Sequence, residues 1–318
     1  MFFINIPIAL LVLALTPRSL PGGRMDATGG VDIVGAITVT AGLAAAVYAV
    51  VRAPEIGWGA AATWWWLLAA AVLLALFVIV QAKTGHPLMR LGIFRTPNLA
   101  AANLAQFPLA AAWVPMWFFL NLYLQQVLGY TAFPSGAALL PMTALIMIGM
   151  IALAPKVLAA LGTRNSIVLG LALLAGGLAW LAQISPNGNY GADVLFPSLL
   201  AALGMSLAFI PSLGAAISSA PPQDGGLAAG IVNTNYQVGS ALGLAAMTAI
   251  AAANGSDQLG NPTALTGGFS AAFWGAAAVA ATGALLTLMF MKRQPASRNG
   301  VVASKDAANA DPAATRAD

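Results

Sequence analysis

The sequence predicts an all-α polytopic membrane protein of about nine transmembrane helices, and three observations carry that expectation. Of 318 residues, 60% are apolar and 7% are charged, whereas a soluble domain carries about 25% charged residues. The apolar residues come in blocks of about 20, the length that crosses the ~30 Å hydrocarbon core of a bilayer. The basic residues cluster in alternate loops between those blocks, which is the asymmetry that orients a chain in a membrane. Only helices and closed barrels satisfy their own backbone in lipid, and blocks of this length without strict alternation exclude a barrel.

Residues 1–16 form the first block, too short to span comfortably at 1.5 Å per residue. The block has no basic stretch ahead of it, contains Pro7 and is followed by Arg18 and Arg24, so it does not read as a signal peptide. It reads instead as a helix whose beginning is missing. Eight further blocks follow at about residues 32–51, 60–80, 98–125, 135–154, 165–184, 194–218, 227–253 and 269–291. Residues 292–318 are polar and rich in Ala, Asn, Asp and Ser. They cannot bury a core and are expected to form a disordered tail.

Charge then sets the expected orientation. With the tail in the cytoplasm and nine crossings, the inner segments hold twelve of the 13 Lys and Arg residues, and Arg52 alone lies outside. Adding or removing one helix would scramble that bias. Trp58 and the run Trp64, Trp65 and Trp66 fall at the outer end of the third block, where an aromatic belt belongs. The sequence pI near 9.7 therefore reports membrane orientation and not nucleic-acid binding.

Catalysis lacks its parts. There are no cysteines and one histidine, His86 in a loop, so thiol chemistry and thiolate metal sites are excluded. No nucleophile–base pair, metal-ligand cluster or phosphate-binding glycine loop is assembled, and no cofactor is implied. Ionisable residues inside spans are the usual pointers to function in such proteins, and here none lies in mid-span. Asp32 sits at the inner end of the second block and Asp224 in an inner loop, while Glu55, Asp193 and Asp257 are in outer loops.

Neutral polar residues remain. In the fourth block Gln106, Trp113 and Trp117 fall on one face at 100° per residue, with Asn121 nearby, and Pro108 and Pro115 interrupt the same helix. This face reads either as the wall of a substrate cavity or as interhelical hydrogen bonding and Trp packing. In the eighth block Gly226, Gly230, Asn233 and Gln237 form one stripe, and Asn235, Gly239 and Gly243 form another roughly 200° around. The glycines are expected to pack helices closely. The amides Asn233 and Gln237 serve either as packing groups or as substrate contacts.

Four stretches resemble the 14-span drug:proton antiporter family of the major facilitator superfamily. They are Phe2-Phe3-Ile4-Asn5-Ile6-Pro7-Ile8, the loop His86 through Arg95, Tyr130 through Pro141, and Pro221 through Gly239. The loop Pro155-Lys156 through Gly162-Thr163-Arg164 is similar to a degenerate copy of the superfamily's gating-loop motif, without its acidic residue. The resemblance implies that residues 1–16 end an amino-terminal bundle, that 32–80 are two extra linker spans, and that 98–291 form the complete carboxy-terminal six-helix bundle, a 3+3 inverted repeat. In that map the fourth, fifth, seventh and eighth blocks line the cavity, while the sixth and ninth face lipid.

The family's first five spans, with its acidic coupling residue, would then be missing. The expected function is proton-coupled efflux of small hydrophobic compounds across the plasma membrane, with lipid, substrate, protons and an absent amino-terminal half as partners. The alternative is a non-transporting fragment, or a half-transporter that needs a separately encoded amino-terminal half.

Overall fold

The computed structural model describes residues 5–19, 32–85, 87–88, 92, 99–221 and 224–292. These residues form an all-helical, polytopic architecture. The expected tail beyond Lys292, residues 1–4, and most of the loop motif from His86 to Arg95 lie outside the described residues.

The helices are α1 (Asn5–Ser19), α2 (Ile33–Ile56), α3 (Ala61–Lys83), α4 (Leu99–Leu122), α5 (Ala132–Ala138), α6 (Leu140–Ile148), α7 (Ala154–Leu181), α8 (Phe196–Ser219), α9 (Gly225–Ala253) and α10 (Pro262–Phe290). Seven stretches among the described residues are long and apolar enough to cross a membrane. One of them, Ala132–Leu181, is 50 residues long, about twice what a single crossing requires. Gly162 breaks it, with φ 74° and ψ 169°, a conformation essentially confined to glycine. The stretch is thus two arms joined at one residue. The expected loop of residues 155–164 is helical on both sides of that break, with Pro155 where α7 takes over from the helical residues before it.

Caps explain where several helices begin. The Asp32 carboxylate accepts from the Gly35 N–H at 2.7 Å and Asn261 from the Ala264 N–H at 3.2 Å, while Asn189 accepts from the Ala192 N–H at 2.9 Å at the start of a π-helical turn, Tyr190–Leu195, that leads into α8, each satisfying an orphan donor of a first turn. Asp32 also receives the Gln81 amide at 2.6 Å, which ties the start of α2 to the end of α3. At the other end of this hairpin the Tyr48 and Trp66 rings meet tilted by 59° at 4.8 Å, and the Arg52 guanidinium lies 5.9 Å over Tyr48. Trp58, Trp64, Trp65 and Trp66 are all exposed there.

Helices α4 and α8 are central. Their spans are 67% and 61% buried, against 33% or less for every other candidate span. Around them, α4 packs against α9 and α10, and α8 packs against α6 and α7. The hairpin of α2 and α3 leans on this body through α9.

Glycine sets the closest approaches. A Cβ on Gly170 would lie 2.5 Å from the Ala208 nitrogen, and one on Gly177 would lie 2.6 Å from the Ala201 nitrogen. Helices α7 and α8 therefore touch backbone to backbone. On the opposite side a Cβ on Gly239 would lie 2.7 Å from the Phe107 carbonyl oxygen, and one on Gly243 would collide with the Ala111 carbonyl, so α9 and α4 do the same. Small residues at such crossings are how helices associate in lipid.

Replacing Gly170 by Ala should cost about 1–3 kcal/mol, because neither backbone has room to retreat. Gly230→Ala, where a Cβ meets nothing within 4 Å, should be neutral or stabilising. Thermal unfolding of the two variants in detergent, read by size-exclusion fluorescence, checks the difference.

Candidate functional site

Gln106 projects from α4 into the contact with α8. It is fully buried, and its amide nitrogen donates to the Phe209 carbonyl at 3.4 Å. Its carbonyl oxygen has no hydrogen-bond partner among the described residues. A buried amide with one half unmet costs about 1–3 kcal/mol. Two turns along, Trp113 is 6% exposed and meets Trp117 edge-on at 6.0 Å. Trp117 is half-buried, as is Asn121, whose carbonyl oxygen accepts from Gln125. The expected aromatic face therefore exists, with its inner part packed against the core.

The amides of α9 divide. Asn235 is half-buried and donates to the Asn103 carbonyl at 2.6 Å. Gly239 and Gly243 continue its stripe against α4. Asn233 and Gln237 lie on the exposed face with Gly226 and Gly230, and a Cβ at either of these glycines would meet nothing within 4 Å. The close packing expected of four glycines is thus placed at Gly239 and Gly243, and Gly226 and Gly230 border open space. The structure does not bring Gln106 and Trp113 together with Asn233 and Gln237: the first pair faces inward and the second outward.

Two clefts flank the α4–α9 contact. One, of about 630 Å³, runs between α4, α9 and α10 along Leu104, Phe107, Pro108, Val279 and Thr282. The other, of about 580 Å³, lies between the α2–α3 hairpin and α9, along Val39, Leu43, Phe77, Gly230 and Thr234. Asn103 and Asn235 border both, and no charged residue among the described ones lines either. None of Gln106, Trp113, Trp117, Asn121, Asn233 and Gln237 lines these two clefts. Asn103 had no signal in the sequence, because one amide near a helix start looks like a cap. Its place opposite Asn235 emerges only when the two helices cross.

At the break of α7, Gly162 is buried and its carbonyl accepts from the Ser166 hydroxyl at 2.8 Å. Arg164 donates to the Leu288 carbonyl in the last turn of α10, where a cation complements the helix dipole. Lys156 is exposed. No group of three or more metal-ligating side chains occurs among the described residues.

The chain is 33% identical over 287 residues to the cephamycin export protein CmcT of Amycolatopsis lactamdurans, covering 89% of this chain and 58% of that protein. It is 29% identical to the tetracenomycin C resistance and export protein of Streptomyces glaucescens, covering 80% of this chain and 47% of the other. With the multidrug resistance protein Stp of Mycobacterium tuberculosis it shares 31% identity, over 79% and 46%. No family model matches the chain. The chain spans about half the length of the curated relatives it matches. All three relatives are named for export or for resistance. The chain's seven described stretches that are long and apolar enough to cross a membrane make it a multi-pass membrane protein.

Gly162→Ala should destabilise by about 1–3 kcal/mol, since alanine is strained at that φ and ψ. Gln106→Leu should change stability by less than about 1.5 kcal/mol, because an apolar side chain of similar volume removes the half-satisfied amide along with its bond. Unfolding midpoints of both variants in one detergent test the pair.

Proposed function

We propose that this sequence contributes the carboxy-terminal bundle and two linker spans of a plasma-membrane transporter that exports small, mostly apolar compounds in exchange for protons. The observation that carries the reading is the similarity to exporters and resistance proteins over 79–89% of this chain in the three relatives above. The exposed face of α9 supports it. Asn233 and Gln237 stand on a helix face without packed neighbours at Gly226 and Gly230, where a second bundle would enclose a cavity between the halves.

In this proposal Trp117 and Asn121, with Gln106 and Trp113 behind them, give one wall of that cavity, and Asn233 and Gln237 give the wall beside it. Lys156, Gly162 and Arg164 form the cytoplasmic hinge between two arms, with the carboxy terminus inside, as the twelve-to-one distribution of basic residues supports. Alternating access requires two bundles moving about a central site. The second bundle, with the acidic group that couples protons, is supplied by further sequence in the same polypeptide or by a separate chain. That a curated relative is about twice as long favours neither arrangement.

A tag after Asp318 in the native membrane reads the mass of the protein to which this sequence belongs. That protein, reconstituted in vesicles with an imposed proton gradient, should move an apolar dye, and a protonophore should abolish the movement. Transport indifferent to the protonophore would remove proton coupling from the proposal. No transport of any compound tried, with the gradient intact, would remove efflux. Asn233→Ala with Gln237→Ala should lower export of at least one substrate by about 5-fold, the loss of a hydrogen bond of about 1 kcal/mol. Unchanged export of all substrates would return both residues to a packing role.

A further inference from the structure

We propose that Tyr236 of α9 is a specificity-determining residue of the export cavity, its hydroxyl donating to a carbonyl or ether oxygen of the compound carried. This rests on the efflux reading and adds a requirement to it: an acceptor oxygen, which apolar character alone does not demand.

Tyr236 lies about 17 Å from the start of the 29-residue α9, within the hydrocarbon depth. At 100° per residue it shares a face with Asn233, Gln237 and Ser240. Asn233 and Gln237 are exposed, while Tyr236 is half-buried, its ring packed on α8. There the Phe209 ring meets it edge-on, with centroids 5.6 Å apart and planes at 84°, an arrangement that aromatic pairs favour. Phe209 is itself anchored. Its carbonyl accepts from the Gln106 amide at 3.4 Å and from the Ser212 hydroxyl at 3.0 Å. A line of contacts from α4 through α8 thus fixes where the Tyr236 ring stands, and Phe209 is its positioning residue.

The hydroxyl at the end of that ring has no hydrogen-bond partner among the described residues. The polar side-chain atoms that are buried without a partner belong to Asn103, Gln106, Ser135 and Arg164. The Tyr236 oxygen is not among them, so it is both unpaired and open to a ligand. The Tyr123 and Tyr190 hydroxyls, by contrast, donate to the Ser185 and Ala138 carbonyls at 2.8 and 2.6 Å. Phenylalanine would make the same ring contact with Phe209, so packing does not account for the oxygen. An unmatched hydroxyl at this depth is unfavourable, and polar groups kept inside spans point to function. A phenol is neutral and calls for no counter-charge, so the partner it fits is a neutral acceptor oxygen. On the same face the Ser240 hydroxyl is engaged by the Gln237 carbonyl at 2.7 Å, which leaves Tyr236 as the available hydroxyl donor.

Benzophenone and diphenylmethane are the probes, alike in skeleton and different by one carbonyl oxygen. The protein containing this sequence is placed in phosphatidylcholine nanodiscs, and saturation binding of each tritiated compound is measured above that of empty discs. Both should bind saturably. Tyr236→Phe should weaken benzophenone by about 5-fold, as the loss of one hydrogen bond warrants, and leave diphenylmethane unchanged. Partition into lipid cancels in that comparison of variants. The unfolding midpoint of Tyr236→Phe should match that of the parent, since the ring contact stays. Binding that does not saturate, or benzophenone affinity indifferent to the substitution, would overturn the proposal. So would equal weakening of both probes, which would make the residue a matter of shape or stability and not of hydrogen bonding. Transport is not measured, so failure here leaves efflux of apolar compounds standing, and failure of efflux leaves the difference between the two probes intact.

Discussion

Backbone-to-backbone contact at glycine is the constraint on which the rest of the structure depends. Lipid tails are as apolar as leucine, so helices in a membrane gain little from hiding apolar side chains from it. What holds them is dispersion and hydrogen bonding across close crossings, and closeness requires that Cβ atoms be absent. Gly170, Gly177 and Gly204 bring α7 and α8 into such contact, Gly239 and Gly243 bring α9 onto α4, and Gly283 of α10 rides on the Pro108 ring 2.5 Å from where its Cβ would stand. Remove these positions and the central pair α4 and α8 loses the neighbours that bury it.

The hydrogen bonds between helices follow the same economy. Apart from the Gln81–Asp32 pair, they run from side chains to backbone carbonyls: Tyr123 to Ser185 at 2.8 Å, Tyr190 to Ala138 at 2.6 Å, Ser206 to Ile146 at 3.3 Å, Asn235 to Asn103 at 2.6 Å. A main-chain carbonyl has two lone pairs and already serves its own helix, so it can accept a second donor without breaking the ladder. Such bonds join helices without requiring a matched polar side chain on the other side. They also leave carbonyl ends of amides unpaired, as at Gln106 and Asn103, and those orphans mark where the interior is chemically incomplete.

Much of the fold was legible. The blocks at 32–51, 60–80, 98–125, 194–218, 227–253 and 269–291 correspond to α2, α3, α4, α8, α9 and α10 to within a few residues at most ends, because a bilayer imposes length on any helix that crosses it. The last of these begins seven residues earlier than expected, at Pro262, where Asn261 caps it. The break at Gly162 was narrower than the loop expected there, since a single glycine leaves the helical path while the residues on either side stay helical. The site was less legible. Helical periodicity placed Asn235, Gly239 and Gly243 on one stripe and Asn233 and Gln237 on another, but which stripe met α4 was not in the pattern.

The sequence by itself determined that this protein lives in a membrane, how its helices are delimited, and which residues lack the chemistry of catalysis. Those properties are local: they depend on hydrophobic length, on caps and on the residue types present. Only the tertiary structure decided that α4 and α8 are central, that Asn103 and Asn235 meet across a crossing and border two clefts, and that Gly226 and Gly230 face open space where Gly239 and Gly243 face a backbone. The two glycine pairs share one helix and one spacing. What separates them is which neighbour stands opposite, and that is set by crossings between residues more than a hundred positions apart, which no local pattern encodes.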